Sequence, residues 1–240
     1  MLFAPLAAAL ALALPAPAPT TGTIGVFSDQ LPDGMPAALL RFAATHYAGA
    51  QKLGRTTTLA LKQQNPAFFA IQYRLALGLG RTTQIRFSDT WKPEWPGHPR
   101  ERWFFHRQGQ RVLQRQWGWY VMNVDDGGWR TYYLARLHQQ VQTTAADGVF
   151  LDSASVPSYF GASSVTPALP EVDPVFESAW SKRLGSWLPA VQRRLGRPVI
   201  ANAGSWVTTR DRTSYSGIAG VMIPFCSCQA ELRACAMPEP

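Results

Sequence analysis

The chain has 240 residues, 46% of them hydrophobic and 16% charged, enough for one substantial core and unlike the composition of disordered chains. Its net charge of +8 rests mostly on arginine, 19 of 23 basic residues, but no nucleic-acid motif organises those charges, so nucleic acid is not an expected partner. The sequence also lacks a P-loop, a dinucleotide fingerprint and a serine nucleophile elbow, which leaves phosphate, hydride and esterase chemistry without support.

Residues 1–19 carry an apolar run from Leu6 to Leu14 followed by alternating Pro and Ala. That pattern reads as a signal peptide and predicts a secreted or cell-envelope protein. The run is too short to span a bilayer, and no later segment is long and apolar enough to do so. From there, short β-rich runs alternate with longer amphipathic stretches, the pattern of βαβ units around a parallel sheet.

Arg41–His46 reads as the first strand, followed by a glycine-bearing loop and a helix that stops at Asn65-Pro66. Phe68–Tyr73 is the second strand. Between Arg81 and Arg115 lies a basic insertion with Trp91, Trp95 and Trp103, read either as a solvated surface loop or as an anion-binding segment. Trp119–Val124 is the third strand, ended by Asp125-Asp126-Gly127-Gly128, and a helix follows from about Trp129. Gly148–Leu151 is the fourth strand, ending at Asp152-Ser153.

Asp173-Pro174 pairs an N-cap residue with proline at the first helical position. The helix beyond it aligns Phe176, Trp180, Leu184, Leu188, Val191 and Leu195 on one core-facing stripe. Val199–Ala201 and Gly220–Ile223 are the fifth and sixth strands. The expected fold class is therefore an α/β, (β/α) TIM barrel, incomplete, with about six of eight βα units over residues 20–225. Residues 226–240 hold Cys226, Cys228 and Cys235, a spacing that matches no structural zinc site, and neither a metal nor a redox cofactor is expected. The tail shows no strand or helix pattern, which leads to the expectation that the reading frame is lost near Ile223 or Phe225.

Barrel enzymes carry their chemistry where strands end, which selects His46, Tyr47, Tyr73, Arg74, Asn123, Asp125, Asp152 and Asn202, with Trp206 in a following loop. Asp152 stands directly after an apolar strand, so it either faces the cleft or caps the next loop. Asp125 and Asp126 serve a site or merely form a turn. His46 is an acid/base candidate or a structural residue. The segments Ala44–Leu53 (ATHYAGAQKL), Asn65–Gly78 (NPAFFAIQYRLALG), Asp147–Ser153 (DGVFLDS) and Asn202–Gly204 (NAG), in this order, resemble a family of hypothetical bacterial glycosyl hydrolases with a TIM-barrel fold.

The resemblance implies hydrolysis of a poly- or oligosaccharide, with Asp152 as nucleophile or base and Asp125 the alternative carboxylate. The remaining strand-end residues would bind substrate. The partner acid of such barrels, a Glu after a late strand, has Pro224 in its place here. A carbohydrate-binding barrel that has lost its acid is the alternative.

Overall fold

A computed structural model describes residues 25–80, 99–161, 164–204 and 210–223. The proposed signal peptide falls in residues 1–24, which with Trp91, Trp95, Trp206, Pro224 and the three cysteines lie outside the described residues.

Six strands form one parallel sheet: β1 (Phe27–Ser28), β2 (Gly49–Gln51), β3 (Phe69–Leu75), β9 (Gly148–Asp152), β11 (Val199–Asn202) and β12 (Gly220–Met222). Their order across the sheet is their order along the chain. Such winding has no topological switch point; each unit packs beside the last in the manner of a (β/α) barrel, here an open half-barrel. Helices α1 (Ala37–His46), α2 (Arg55–Gln64), α3 (Gly127–Thr144) and α4 (Pro174–Leu195) connect successive strands.

Local chemistry accounts for the helix ends. The Asp126 carboxylate accepts from the Trp129 amide at the start of α3, and Asp173 accepts from the amides of Val175 and Phe176 at the start of α4. Helix α3 ends on Ala145 at φ 57°, and α4 on Gly196 at φ 64°, where glycine carries no Cβ penalty. The stripe on α4 is buried from Trp180 through Leu195.

Alternation along the strands divides the side chains between two faces. Val149, Leu151, Val199 and Ala201 join the large core beneath α3 and α4, with Trp129, Tyr133, Trp180 and Trp187. Ile71, Tyr73 and Phe150, with Phe69 and Ile200, line the opposite, inner face.

Two expected strands are corrected. Arg41–His46 is the second half of α1, with Ala43 and Ala44 buried; the short residues that looked like a strand pack a helix against Leu61 and Phe68. The strand role passes to Gly49–Gln51, which is too short to show an alternating pattern. Trp119–Val124 supplies only β8 (Trp119–Val121), and it lies in a separate antiparallel sheet with β4 (Gly78–Gly80), β7 (Leu113–Gln114) and β10 (Val165–Thr166), while β5 (His106–Arg107) and β6 (Gln110–Arg111) pair with each other. The described part of the basic insertion is not a solvated loop. Trp103, Phe104 and Val112 are buried, and Trp103 stacks on Tyr132 at 5.3 Å, so that tryptophan belongs to the core.

Gly49 is where the sheet is tightest. A Cβ there would stand 2.1 Å from the Phe69 carbonyl oxygen and 2.4 Å from Cε2 of Phe27. Gly49→Ala is expected to lower stability by about 1–3 kcal/mol, the usual range for overpacking. At Gly54 an added Cβ has only the Asp33 carboxylate, at 3.8 Å, so Gly54→Ala is the control. Urea midpoints that do not separate the two variants would contradict this packing.

Candidate functional site

All six parallel strands end on the same side of the sheet, so the residues that finish them gather in one place. Asp152 closes β9 on the inner face. Its Oδ2 accepts a hydrogen bond from the Tyr73 hydroxyl at 2.5 Å, and its Oδ1 accepts from the Asn202 side-chain amide at 2.7 Å. Both oxygens therefore work as acceptors, the way an ionised carboxylate is used. Asn202 is itself oriented by the Gly204 amide, which donates to its Oδ1 at 3.1 Å. The Asp152 carbonyl accepts from Ala76, and the Asn202 carbonyl from Ala154, so main-chain bonds fix the strand ends that carry these side chains.

Tyr73 lies between Asp152 and a second polar group. The Lys52 ammonium stands 4.8 Å from its ring centroid and pairs with both oxygens of Asp29 at 3.0 and 2.9 Å. The Gln51 amide also donates to Asp29. Burial, above all, holds the Tyr73 hydroxyl well above the usual tyrosine range; the negative charge of Asp152, the hydrogen bond to it and the charge of Asp29 act the same way. Tyr73 is therefore a fixed hydrogen-bond donor, not a ready proton source.

Backbone strain marks the same strand ends. Lys52 and Ser153, which directly follow β2 and Asp152, adopt φ of 62° and 55°, a left-handed conformation uncommon for residues with a Cβ.

A second network ties the loop after β11 to α4 and to the loop after β9. Asp211 accepts from the Tyr215 hydroxyl at 2.5 Å, from Thr213 and from Ser181. Glu177 accepts from Tyr159 at 3.2 Å and pairs with Arg210. Burial is the main cause that raises both tyrosines.

Of the residues singled out from sequence, the structure brings together Asp152, Tyr73 and Asn202. The others stand elsewhere. His46 ends α1 at the opposite end of the sheet, exposed, stacked on Phe42 at 4.1 Å with Nδ1 2.9 Å from the Phe42 carbonyl. Tyr47 beside it packs against the α1 and α2 core.

Arg74 follows Tyr73 by one residue and so points to the other face, where it donates to Gln140 at 2.8 Å and covers the Tyr133 ring. Asn123 shapes the turn before α3, accepting from the Asp125 amide at 3.2 Å. Asp125 is exposed and paired with Arg183 at 2.7 Å and Arg130 at 3.6 Å, both on outer helices, not with the Asp152 cluster. Trp206 lies outside the described residues.

Asp29, Gln51 and Lys52 were not singled out from sequence. The last two lie inside the Ala44–Leu53 segment and would have been found had β2 been recognised; Asp29 follows a two-residue strand that leaves no pattern. Among the described residues no group of three His, Cys, Asp or Glu is placed to hold a metal, and no helix is long and apolar enough to cross a membrane.

The raised Tyr73 has a consequence for stability. A group whose pKa is higher folded than unfolded contributes fully below the unfolded value, near pH 10 for tyrosine, and loses that contribution as pH rises above it. The urea midpoint is expected to fall above about pH 10, and to fall less steeply in Tyr73→Phe. Tyr159 and Tyr215 shift in the same direction and leave a residual slope. Equal slopes in the two proteins would refute the assignment.

Comparison with known proteins places these features in a family. No curated protein matches the chain. Among solved structures, Ega3 of Aspergillus fumigatus in complex with galactosamine aligns over 83% of this chain and 66% of its own, at 13% identity and a TM-score of 0.42. The glycoside hydrolase domain of PgaB (BpsB) from Bordetella bronchiseptica aligns over 77% and 67%, at 11% identity and a TM-score of 0.41. A family 18 N-acetylglucosaminidase from Paenibacillus barengoltzii aligns over 76% and 46%, at 13% identity and a TM-score of 0.37. The chain thus spans 66% of the first of these proteins and less than half of the third. The barrel assignment rests on the strand order described above, and the sequence profile of one family matches residues 62–224, more than half of the chain and the part that carries Tyr73, Asp152 and Asn202. The chain belongs to hypothetical glycosyl hydrolase family 15.

Proposed function

We propose that this protein acts on a poly- or oligosaccharide outside the cytoplasm, with Asp152 as the nucleophile or base of glycosidic bond cleavage. The supporting observation is the Asp152 carboxylate, held at the end of β9 with one oxygen bonded to Tyr73 and the other to Asn202. A carboxylate fixed in this way either attacks the anomeric carbon, giving a glycosyl ester, or takes a proton from the attacking water. In the first case the bond from the anomeric carbon to the leaving oxygen breaks as the bond to Asp152 forms, and water later cleaves the ester. Tyr73 and Asn202 keep the carboxylate aimed while its charge is used, since neither has to reorganise.

The leaving oxygen also needs a proton. Tyr73 is poorly suited to give one, because burial and two neighbouring carboxylates favour its protonated form. Asp125 is committed to Arg183 and Arg130, and the position after Ile223 holds Pro224. These three observations support a second reading, a carbohydrate-binding protein that keeps the cleft without hydrolysis.

The two readings separate on one substitution. With α- and β-linked glucans, galactans and hexosamine polymers as substrates, reducing ends released by the wild type are expected to fall by about 10²–10⁴-fold in Asp152→Asn, while the melting curve keeps its shape. Glycan binding without reducing-end release, in both proteins, would exclude hydrolysis and leave the binding reading.

A further inference from the structure

We infer that Asp29, fixed by Gln51 and Lys52, is a binding residue for sugar hydroxyls at a subsite separated from Asp152 by two intervening strands. This rests on the carbohydrate reading above, but not on hydrolysis.

The Asp29 to Lys52 pair is lopsided. The Lys52 side chain is 8% exposed, while that of Asp29 is 66% exposed. Gln51, the other donor to Asp29, is 5% exposed. Burying an ammonium and an amide to hold a solvent-facing carboxylate is a poor way to stabilise a fold, because exposed ion pairs contribute little and burial of the charged partner is unfavourable. The backbone carries a further cost, since Lys52 sits at φ 62°. Gln51 Oε1 is buried without a hydrogen-bond partner among the described residues, another sign that this corner is not arranged for stability alone.

What the arrangement does achieve is orientation. Gln51 donates to Asp29 Oδ1, and Lys52 to both oxygens. A carboxylate has about four acceptor positions, so capacity remains on the exposed side. That side belongs to the carboxyl ends of the strands, where barrel sites lie.

The placement sets the role. Asp29 follows β1, and Asp152 ends β9, with β2 and β3 between them. Lys52 and Tyr73 fill the space between the two carboxylates. A glycan lying along the strand ends with its reacting bond at Asp152 would present other hydroxyls, away from that bond, to Asp29. The partner is a neutral sugar hydroxyl, not an amine, because Lys52 already occupies the cationic position beside the carboxylate. Contacts remote from the reacting bond are made equally in the ground and transition states, so they lower KM and leave kcat unchanged.

The test is titration calorimetry of malto-, galacto- and N-acetylhexosamine oligosaccharides with the wild type, Asp29→Ala, Asp29→Asn and Lys52→Met. A hydrogen bond to a charged group predicts at least about tenfold weaker binding of the best ligand in Asp29→Ala. Asp29→Asn, which keeps one acceptor oxygen, is expected to lose less. Lys52→Met, which leaves Asp29 unsteadied, should follow Asp29→Ala, and circular dichroism melts report whether each variant is folded. If the wild type cleaves one of these sugars, KM rises and kcat holds within about twofold.

Affinity unchanged within about twofold in Asp29→Ala overturns the inference, as does a wild type that binds none of the sugars. Hydrolysis with an unaltered KM in Asp29→Ala removes this subsite and leaves the hydrolase reading standing. Asp29-dependent binding without hydrolysis does the opposite.

Discussion

Three parallel strands are tied together at one carboxylate. Tyr73 on β3 and Asn202 on β11 both reach Asp152 on β9, the strand between them. These bonds require that the three strands keep a common register: Tyr73 lies opposite Phe150, and Ala201 opposite Leu151. A slip of one residue in either neighbour would turn the donor to the helix-facing side. The polar cluster and the hydrophobic sheet therefore specify the same alignment, each reinforcing the other.

The helices behind the sheet hold that register. Tyr133 on α3 donates its hydroxyl to the Leu75 carbonyl at 3.0 Å and carries the Arg74 guanidinium over its ring. Trp187 on α4 meets the Tyr133 ring at 5.3 Å. At the other end of the sheet, Asp147 accepts from the Ala70 amide and pairs with Lys62, joining β9 to β3 and α2. Of the two aspartates in the DGVFLDS segment, the first thus aligns strands and the second meets Tyr73 and Asn202 on the inner face. A protein can share such a motif for either reason, so the motif alone does not establish catalysis.

Periodicity made the strongly patterned elements legible: the α4 stripe, the apolar β9 and its terminal Asp152, and the break at Asn65-Pro66. It failed where elements are too short to carry a period. β1 and β2 have two and three residues, and their hydrogen bonds come from neighbours, not from local propensity. It failed again at Trp119–Val124, whose strand character was right but whose sheet was not, because pairing partners are a tertiary property. The face assignments followed: His46 and Tyr47 were placed at a strand end that is a helix end, and Arg74 was grouped with Tyr73 although alternation sends it the other way. Asp125 was sound as a turn residue, and its charge is used by Arg183 and Arg130.

The two carboxylates at the strand ends are built differently. Asp152 is half-buried and receives neutral donors, an amide and a phenol. Asp29 is exposed and receives a cation, which offsets its charge but leaves acceptor positions open to solvent. For the roles proposed above, the first arrangement suits bond making and the second suits recognition. Tyr73 stands between them with its proton retained chiefly by burial and then by both negative charges. A hydroxyl that cannot readily ionise keeps the same hydrogen-bond direction toward Asp152 whether or not a sugar lies above it. The different settings of the two carboxylates are thus imposed by their partners, and those partners come from strand ends that the parallel winding brings together.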